Sequence, residues 1–349
     1  MIDTSRHFLP LHLILETIDA MMYNKMNVLH WHITDEDSFP LILDSHPEIA
    51  EFGAFSEFET YTSQDAREVV RYAMLRGVRV IPELDTPGHA ASWGKAPQNK
   101  DIACTFGNGY MGPLDVTMEH TYTVLRDVLK EINDIFPDPI FHFGGDEVSL
   151  TCLKNSTEAR KDMDKYNVGG NFELYYRKRQ HKIMMEINPD KKPMYWMNSG
   201  INIEPQDVVH WWGAGMPETT NKVVISNYGP YYLDMGVGNY FGVGYGSYIT
   251  WFEFYNRNLK NEIQGYKNKD NVLGAEACLW SEISNQYVHH VKIWMRTSSL
   301  AERLWNSKVQ SIKPGVLRRL AAQERLMNRR GIGTQPVTCQ QCETHPQYC

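Results

Sequence analysis

Short apolar runs alternate along this chain with longer segments whose apolar residues recur every three or four positions. Leu11 to Tyr23 has helical spacing, and Met26 to Ile33 then reads as a strand that ends in His30-Trp31-His32. Thr60 to Arg76 predicts a second helix, with Ser63 as its cap and Gly77 just past its end. Val78 to Pro82 is the next strand, and it runs into the polar, turn-rich stretch Glu83-Leu84-Asp85-Thr86-Pro87-Gly88-His89. Val116 to Ile135 is helical, Pro139 to Phe143 is a short buried strand, and Asn171 to Ile187 is another helix. Strands follow at Pro193 to Asn198, Val208 to Trp212, Val223 to Asn227 and Val272 to Leu279, before helical stretches from Gln286 to Trp305 and Lys313 to Arg330. Gly229 to Phe254, rich in Gly and Tyr, reads as a long loop. With Ile2-Asp3 as the first, eight strands alternate with helices. That is the pattern of an α/β chain folded as one (β/α)8 TIM barrel, here with an incomplete first strand.

Composition narrows the partners. The 349 residues are 42% hydrophobic and 22% charged, which suits a globular protein with a large core. A net charge of -7 and the lack of a basic run leave no electrostatic footprint for nucleic acid or an anionic membrane. No apolar run is long enough to span a membrane. Nine Trp and nineteen Tyr tip the expectation slightly towards a sugar ligand, because aromatic faces stack on sugar rings. Met1-Ile2-Asp3-Thr4-Ser5-Arg6 looks like the end of a strand, so Met1 reads as an internal methionine of a longer precursor. Of six cysteines, Cys104 and Cys152 lie in loop-like stretches, Cys278 in an apolar run, and Cys339, Cys342 and Cys349 near the end. Their spacing favours one or two disulfides over a zinc site. Asn155-Ser156-Thr157 is a glycosylation acceptor sequence.

Candidate chemistry gathers where strands end. After Phe141-His142-Phe143, Gly144-Gly145 lets the backbone turn sharply, and Asp146-Glu147 follow at once. Neighbouring residues in extended chain face opposite ways, so these carboxylates can address two atoms of one substrate. The bland alternative is a solvated acidic loop. Asp35, Glu83, Asp85, His89, Trp196, Trp211-Trp212, Tyr232, Asp234, Trp280 and Glu282 also sit at strand ends. Three chemistries fit this set: glycoside hydrolysis by paired carboxylates, metal-dependent hydrolysis through His30 and His32 with His89, or sugar binding without catalysis. Against the metal reading stands the possibility that both histidines only pack and hydrogen-bond inside the barrel.

The sequence resembles the catalytic domain of family 20 glycoside hydrolases, the β-N-acetylhexosaminidases, most of all the animal lysosomal type. The resemblance runs from Ile2-Asp3-Thr4-Ser5-Arg6-His7 through His30-Trp31-His32-Ile33 and Asp85-Thr86-Pro87-Gly88-His89 to Gly144-Gly145-Asp146-Glu147-Val148. It continues through Gly274-Ala275-Glu276-Ala277-Cys278-Leu279-Trp280-Ser281-Glu282 to Glu302-Arg303-Leu304-Trp305. It implies a retaining, substrate-assisted hydrolysis of terminal β-linked GlcNAc or GalNAc, an exception to the rule of two catalytic carboxylates. Glu147 would be the general acid and Asp146 would orient the substrate's acetamide, with Tyr232 bonding the acetamide oxygen. Trp196, Trp212 and Trp280 would wall the sugar pocket, Asp234 and Glu282 would bind its hydroxyls, and His89 with Asp35 would form a relay behind the acid. Trp212 is preferred to Trp211 by register.

The resemblance also implies no cofactor and no metal, which leaves His30 and His32 as scaffold. It implies a Cys104–Cys152 disulfide, a buried free Cys278, and a C-terminal bridge from Cys349 to Cys339 or Cys342. Expected partners are N-acetylhexosamine-terminated glycans and a second copy in a homodimer, in a lysosomal or secreted setting and with no nucleic acid or membrane. Residues 1–335 would be the catalytic barrel and 336–349 a Cys-rich tail, without the α/β domain that usually precedes the barrel. The family's sugar-gripping arginine falls upstream of the stretch matching Met1-Ile2-Asp3. Its loss would remove about 1.5–3 kcal/mol of binding and make a catalytically weak sugar-binding barrel the alternative, ahead of a metal-dependent hydrolase using His30 and His32.

Overall fold

The structure is a computed structural model that describes residues 1–107, 109–153, 157–200, 202–236, 238–240, 243–306 and 314–339. Asn155, Cys342 and Cys349 lie outside the described residues. Eight parallel strands form one sheet in chain order: β1 (Ile2–Asp3), β2 (Val28–Thr34), β3 (Arg79–Leu84), β4 (Ile140–His142), β5 (Lys192–Met197), β6 (Val208–Trp211), β7 (Lys222–Ile225) and β8 (Val272–Ala275). One parallel bridge, Ile2 opposite Leu279, curls the sheet into a ring, and the Leu279 N–H donates to the Met1 carbonyl at 3.1 Å. Because β1 is two residues long, the seam is tied only near its upper end. A cavity of about 520 Å³ opens beneath it, between Val28 and Leu29 on one side and Val272 to Ala277 on the other.

Alternation along the strands sorts side chains into two cores. Outward-facing Trp31, Ile33, Val80, Phe141, Tyr195, Val209, Trp211 and Val223 pack in the large apolar core that includes Ile14, Ile18, Val124, Val128 and Met184 from the helices. Inward-facing Ile81, Ile140, Met194 and Val208 close the barrel floor. Above that floor the interior turns polar. His30, His32, Glu83, His142 and His210 are all buried there, and the register sets His32 beside Glu83 and Glu83 beside His142.

Four expectations are corrected. Strands and helices do not alternate throughout: among the described residues, β5 joins β6, and β6 joins β7, without a helix. The helix Ser63–Met74 is capped by Thr62 rather than Ser63, because the Thr62 hydroxyl accepts from Asp65 N while Asp65 bonds back to the Thr62 N–H, a capping box. Ser63 instead donates to the Ile42 carbonyl. The stretch Gln286 to Trp305 is two helices, His289–Ile293 and Arg296–Trp305, broken at Met295, whose φ of 63° lies in the left-handed region. The loop from Gly229 to Phe254 also contains a two-stranded hairpin, Gly238–Tyr240 with Val243–Tyr245, and the start of the helix Trp251–Asn256.

Cys104 and Cys152 are bonded, with Cα atoms 5.9 Å apart, and Cys278 is a buried free thiol. The bond joins the loops that follow β3 and β4, the two loops that carry His89 and Glu147. Closing a loop of this length restricts the unfolded chain, so Cys104→Ser should lower the unfolding free energy by about 2–4 kcal/mol. Urea denaturation under non-reducing conditions checks this, and a reductant should remove the difference between variant and wild type.

Candidate functional site

The β4 turn is built for close approach. Gly144 and Gly145 have φ of 65° and 88°. A Cβ on Gly144 would lie 1.8 Å from Asp85 Oδ1, the same oxygen that accepts from the Gly145 N–H at 2.7 Å. Glycine at 144 is therefore required by both backbone angle and space. The turn drives Asp146 into the interior and leaves the Glu147 side chain 63% exposed.

Both carboxylates face a cavity of about 160 Å³ at the carboxyl ends of the strands. Of the residues expected at the site, His89, Trp212, Tyr232, Asp234, Trp280 and Glu282 line it as well. Trp196 is 2% exposed and lies lower. Its ring centroid is 5.6 Å from that of Trp280, and it lines a neighbouring recess of about 280 Å³ that shares Asp146, Glu147 and Trp212. Asp35 is buried behind His89. Strand alternation separates the tryptophan pair: Trp211 faces the helices and donates to the Gly215 carbonyl, while Trp212 faces the cavity. Asp146 Oδ1, Asp234 Oδ1, Glu282 Oε2 and Trp212 Nε1 are buried without a hydrogen-bond partner among the described residues. Buried polar atoms are rarely left so, and four around one cavity are what a polyhydroxylated ligand would satisfy.

A chain of charges leads away from Glu147. His89 Nε2 lies 3.6 Å from Glu147 Oε2, an ion-pair distance, and His89 Nδ1 lies 3.2 Å from Asp35 Oδ1. Asp35 Oδ2 accepts from Arg6 Nη2 at 2.8 Å and from His32 Nε2 at 2.8 Å. Burial alone would raise the Asp35 pKa, but the Arg6 and His89 charges and the hydrogen bond from His32 hold it far below the carboxylate range. Burial opposes a charge on His89 too, yet Asp35 and Glu147 raise its pKa well above the usual imidazole value. The His89 imidazolium holds Glu147 below its ordinary value against partial burial. Asp146 moves the other way, raised by burial and by the Glu83 charge. Two neighbouring carboxylates thus have opposite environments.

His30 and His32 do not converge on an open point where an ion could sit. His32 Nδ1 is 2.7 Å and His30 Nε2 is 2.8 Å from Glu83 Oε2, and the second nitrogen of each ring meets Asp35 or Glu276 at 2.8 Å. With carboxylates at both nitrogens, each ring is held as an imidazolium, and burial is outweighed in raising its pKa. Three participants were given no role from the sequence. Arg6 lines the cavity, spanning Asp3 and Asp35 and lying 5.1 Å from the Trp280 ring centre. Tyr228 stands at the rim, 5.2 Å from Tyr232 between ring centres. Glu83 carries the interior network. Its place at the end of an apolar run was the available signal; Tyr228 lay between a strand and a Gly-rich loop with none.

Fold and cavity together define a barrel protein with a carboxylate-rich, aromatic-walled site at the strand ends. Residues 1–308 match the profile of glycosyl hydrolase family 20, catalytic domain, and the chain belongs to that family. It is 36% identical to the β-hexosaminidase subunit beta of Mus musculus over 98% of its own length and 65% of the mouse protein. Against the subunit beta of Homo sapiens it is 35% identical over 98% of its length and 62% of the human protein, so the chain spans less than two thirds of these relatives. Among solved structures it superposes on a Vibrio harveyi exo β-N-acetylglucosaminidase with TM-score 0.81 at 22% identity, covering 97% of this chain and 58% of that one. A Flavobacterium johnsoniae chitobiase gives TM-score 0.80 at 24% identity, covering 95% and 52%. At these identities the superpositions support the fold alone.

Burial raises the Asp234 pKa to about 7, with the Glu282 charge adding to it. A carboxyl whose folded pKa lies above its unfolded value makes stability fall as pH rises from about 4 through the folded value, and the loss persists above it. Asp234→Asn removes that loss. Its stability relative to wild type should grow by roughly 3 kcal/mol between pH 4 and pH 8. Thermal denaturation at the two pH values measures it; a constant difference would count against a neutral Asp234.

Proposed function

We propose that the chain is the catalytic barrel of a retaining, exo-acting β-N-acetylhexosaminidase that releases terminal β-linked GlcNAc or GalNAc. The observation that carries this reading is the divided environment of adjacent carboxylates. Asp146 is half-buried beside Tyr232, with its Oδ1 fully enclosed, while Glu147 stands at the mouth against His89.

In the proposed reaction Glu147 gives its proton to the glycosidic oxygen as the bond to the sugar carbon breaks. The acetamide oxygen of the same sugar attacks that carbon from the other face, forming an oxazolinium ion. Asp146 accepts the acetamide N–H, and the Tyr232 hydroxyl, kept protonated by burial, donates to the acetamide oxygen. Glu147, now an anion, takes a proton from the water that opens the ring. A bound sugar excludes water from Glu147 and so raises its proton affinity when an acid is needed. Trp212 and Trp280 present faces to the sugar above Trp196, and the unpartnered Asp234 and Glu282 oxygens accept from its hydroxyls. His89, backed by Asp35, would steady the charge on Glu147.

Substrates of the proposal are N-acetylhexosamine-terminated glycans, in a lysosomal or secreted setting that the Cys104–Cys152 disulfide supports. The mouse and human relatives are named as subunits, which supports an assembly of more than one chain, here a homodimer. Residues 1–335 would form the barrel and 336–349 a tail.

Release of an aryl alcohol from its β-N-acetylglucosaminide tests the activity. Glu147→Gln should lower kcat by roughly 10²–10⁴-fold, and Asp146→Asn should lower it with thermal stability largely retained. Wild-type turnover no faster than in these two variants would sink the proposal.

A further inference from the structure

Glu83 touches neither cavity, yet its two oxygens hold parts of both halves of the site. Oε1 accepts from Trp196 Nε1 at 2.6 Å. Oε2 accepts from His32 Nδ1 at 2.7 Å and lies 2.8 Å from His30 Nε2. His32 passes to Asp35 at 2.8 Å, and Asp35 to His89 and hence to Glu147. The charged and titratable groups facing Glu83 are His30 and His32 from β2, His142 from β4, His210 from β6, Asp85 beyond its own strand, Asp146 beyond β4, and Glu276 through His30. His142 is the neutral member: its Nδ1 accepts from the Gly144 N–H at 2.9 Å, so its proton sits on Nε2, towards His210.

We propose that Glu83 is a positioning residue that couples the Trp196 platform under the sugar pocket to the protonation of the His32–Asp35–His89 relay. The coupling follows from counting donors and acceptors. Two N–H groups, from Trp196 and His32, donate to separate oxygens of one carboxylate, with His30 Nε2 beside the second oxygen at ion-pair distance and without a hydrogen bond, and the anion accepts both donors. An amide offers one acceptor oxygen. Turned towards Trp196, it sets its NH2 against the His32 N–H, which must lose its proton; turned towards His32, it sets its NH2 against the Trp196 N–H. Either wall or relay gives way.

The inference rests on the proposed activity, and its test separates the two. The pH dependence of kcat/KM for an aryl β-N-acetylglucosaminide, and in parallel that of the Kd of an oxazoline-mimicking inhibitor, is measured for wild type, Glu83→Gln, Trp196→Phe and the double variant. Absence of turnover would overturn the activity while the Kd profile still reports the coupling. In Glu83→Gln the amide oxygen stays with Trp196 and His32 loses its proton. His32 lies nearer to Glu147 along the relay than Glu83 does, so the alkaline limb should move up by about half a pH unit or more. With Trp196→Phe also present, the amide can turn its oxygen to the histidines, and the shift should fall to less than half. Equal shifts in both backgrounds would overturn the proposal. Should Glu83→Gln not fold, Trp196→Phe alone decides: with His32 already protonated, a Glu83 anion freed of one donor is less neutralised and the limb should move up, whereas a higher KM or Kd with an unmoved limb would overturn the coupling.

Discussion

The interior of this barrel is ionised, and most of its architecture answers that constraint. Isolated charges cannot be buried without neutralising themselves, so buried acids and bases must alternate in contact. From Glu147 inward they do: His89, Asp35, His32, Glu83, His30 and Glu276 follow one another, with Arg6 closing the side against Asp3. Strand geometry makes this possible. The period-two alternation of β2 sends His30 and His32 inward while Leu29, Trp31 and Ile33 serve the apolar core, and the register then brings Glu83 and His142 alongside. Breaking such a network by removing one partner strands the next charge, so no member is replaceable alone.

The site inherits its asymmetry from that interior. Asp146 enters it through the Gly144-Gly145 turn, where burial and the Glu83 charge favour its proton. Glu147, one residue on, turns out to the mouth and meets the imidazolium end of the chain. Adjacent positions in sequence become opposite electrostatic environments because a tight turn lies at the boundary between a low-dielectric core and water. The disulfide from Cys104 to Cys152 fastens the loops on either side of that boundary.

Much of this was legible from pattern. Eight apolar runs at barrel spacing, an acid pair after Gly-Gly, and the inward phase that separates Trp212 from Trp211 are all local features that side-chain alternation makes readable. What was not legible depends on neighbours distant in sequence. Glu83 reads as one more strand-end acid until Trp196 is seen 113 residues away donating to it. The Arg6 side chain acquires its role only when Asp35 and Trp280 close around it. The helices wrongly expected between β5 and β7 reflect the general βα rhythm imposed on connections too short to hold them. The exchange of Ser63 for Thr62 is a one-residue ambiguity between two hydroxyls, settled by which of them can reach Asp65.

The charge chain also constrains how the proposed chemistry can be tuned. A general acid in a cleft is ordinarily adjusted by burial, but Glu147 is mostly exposed, and the pull of His89 outweighs its partial burial. Its proton affinity is set through His89, whose own charge is fixed by Asp35, which Arg6 and His32 hold ionised. The control is thus moved from the solvent-facing residue to a dry interior where interactions are less screened. A substitution deep in the barrel can therefore alter the acid without touching the ligand, and a substitution at the rim can leave it nearly unchanged.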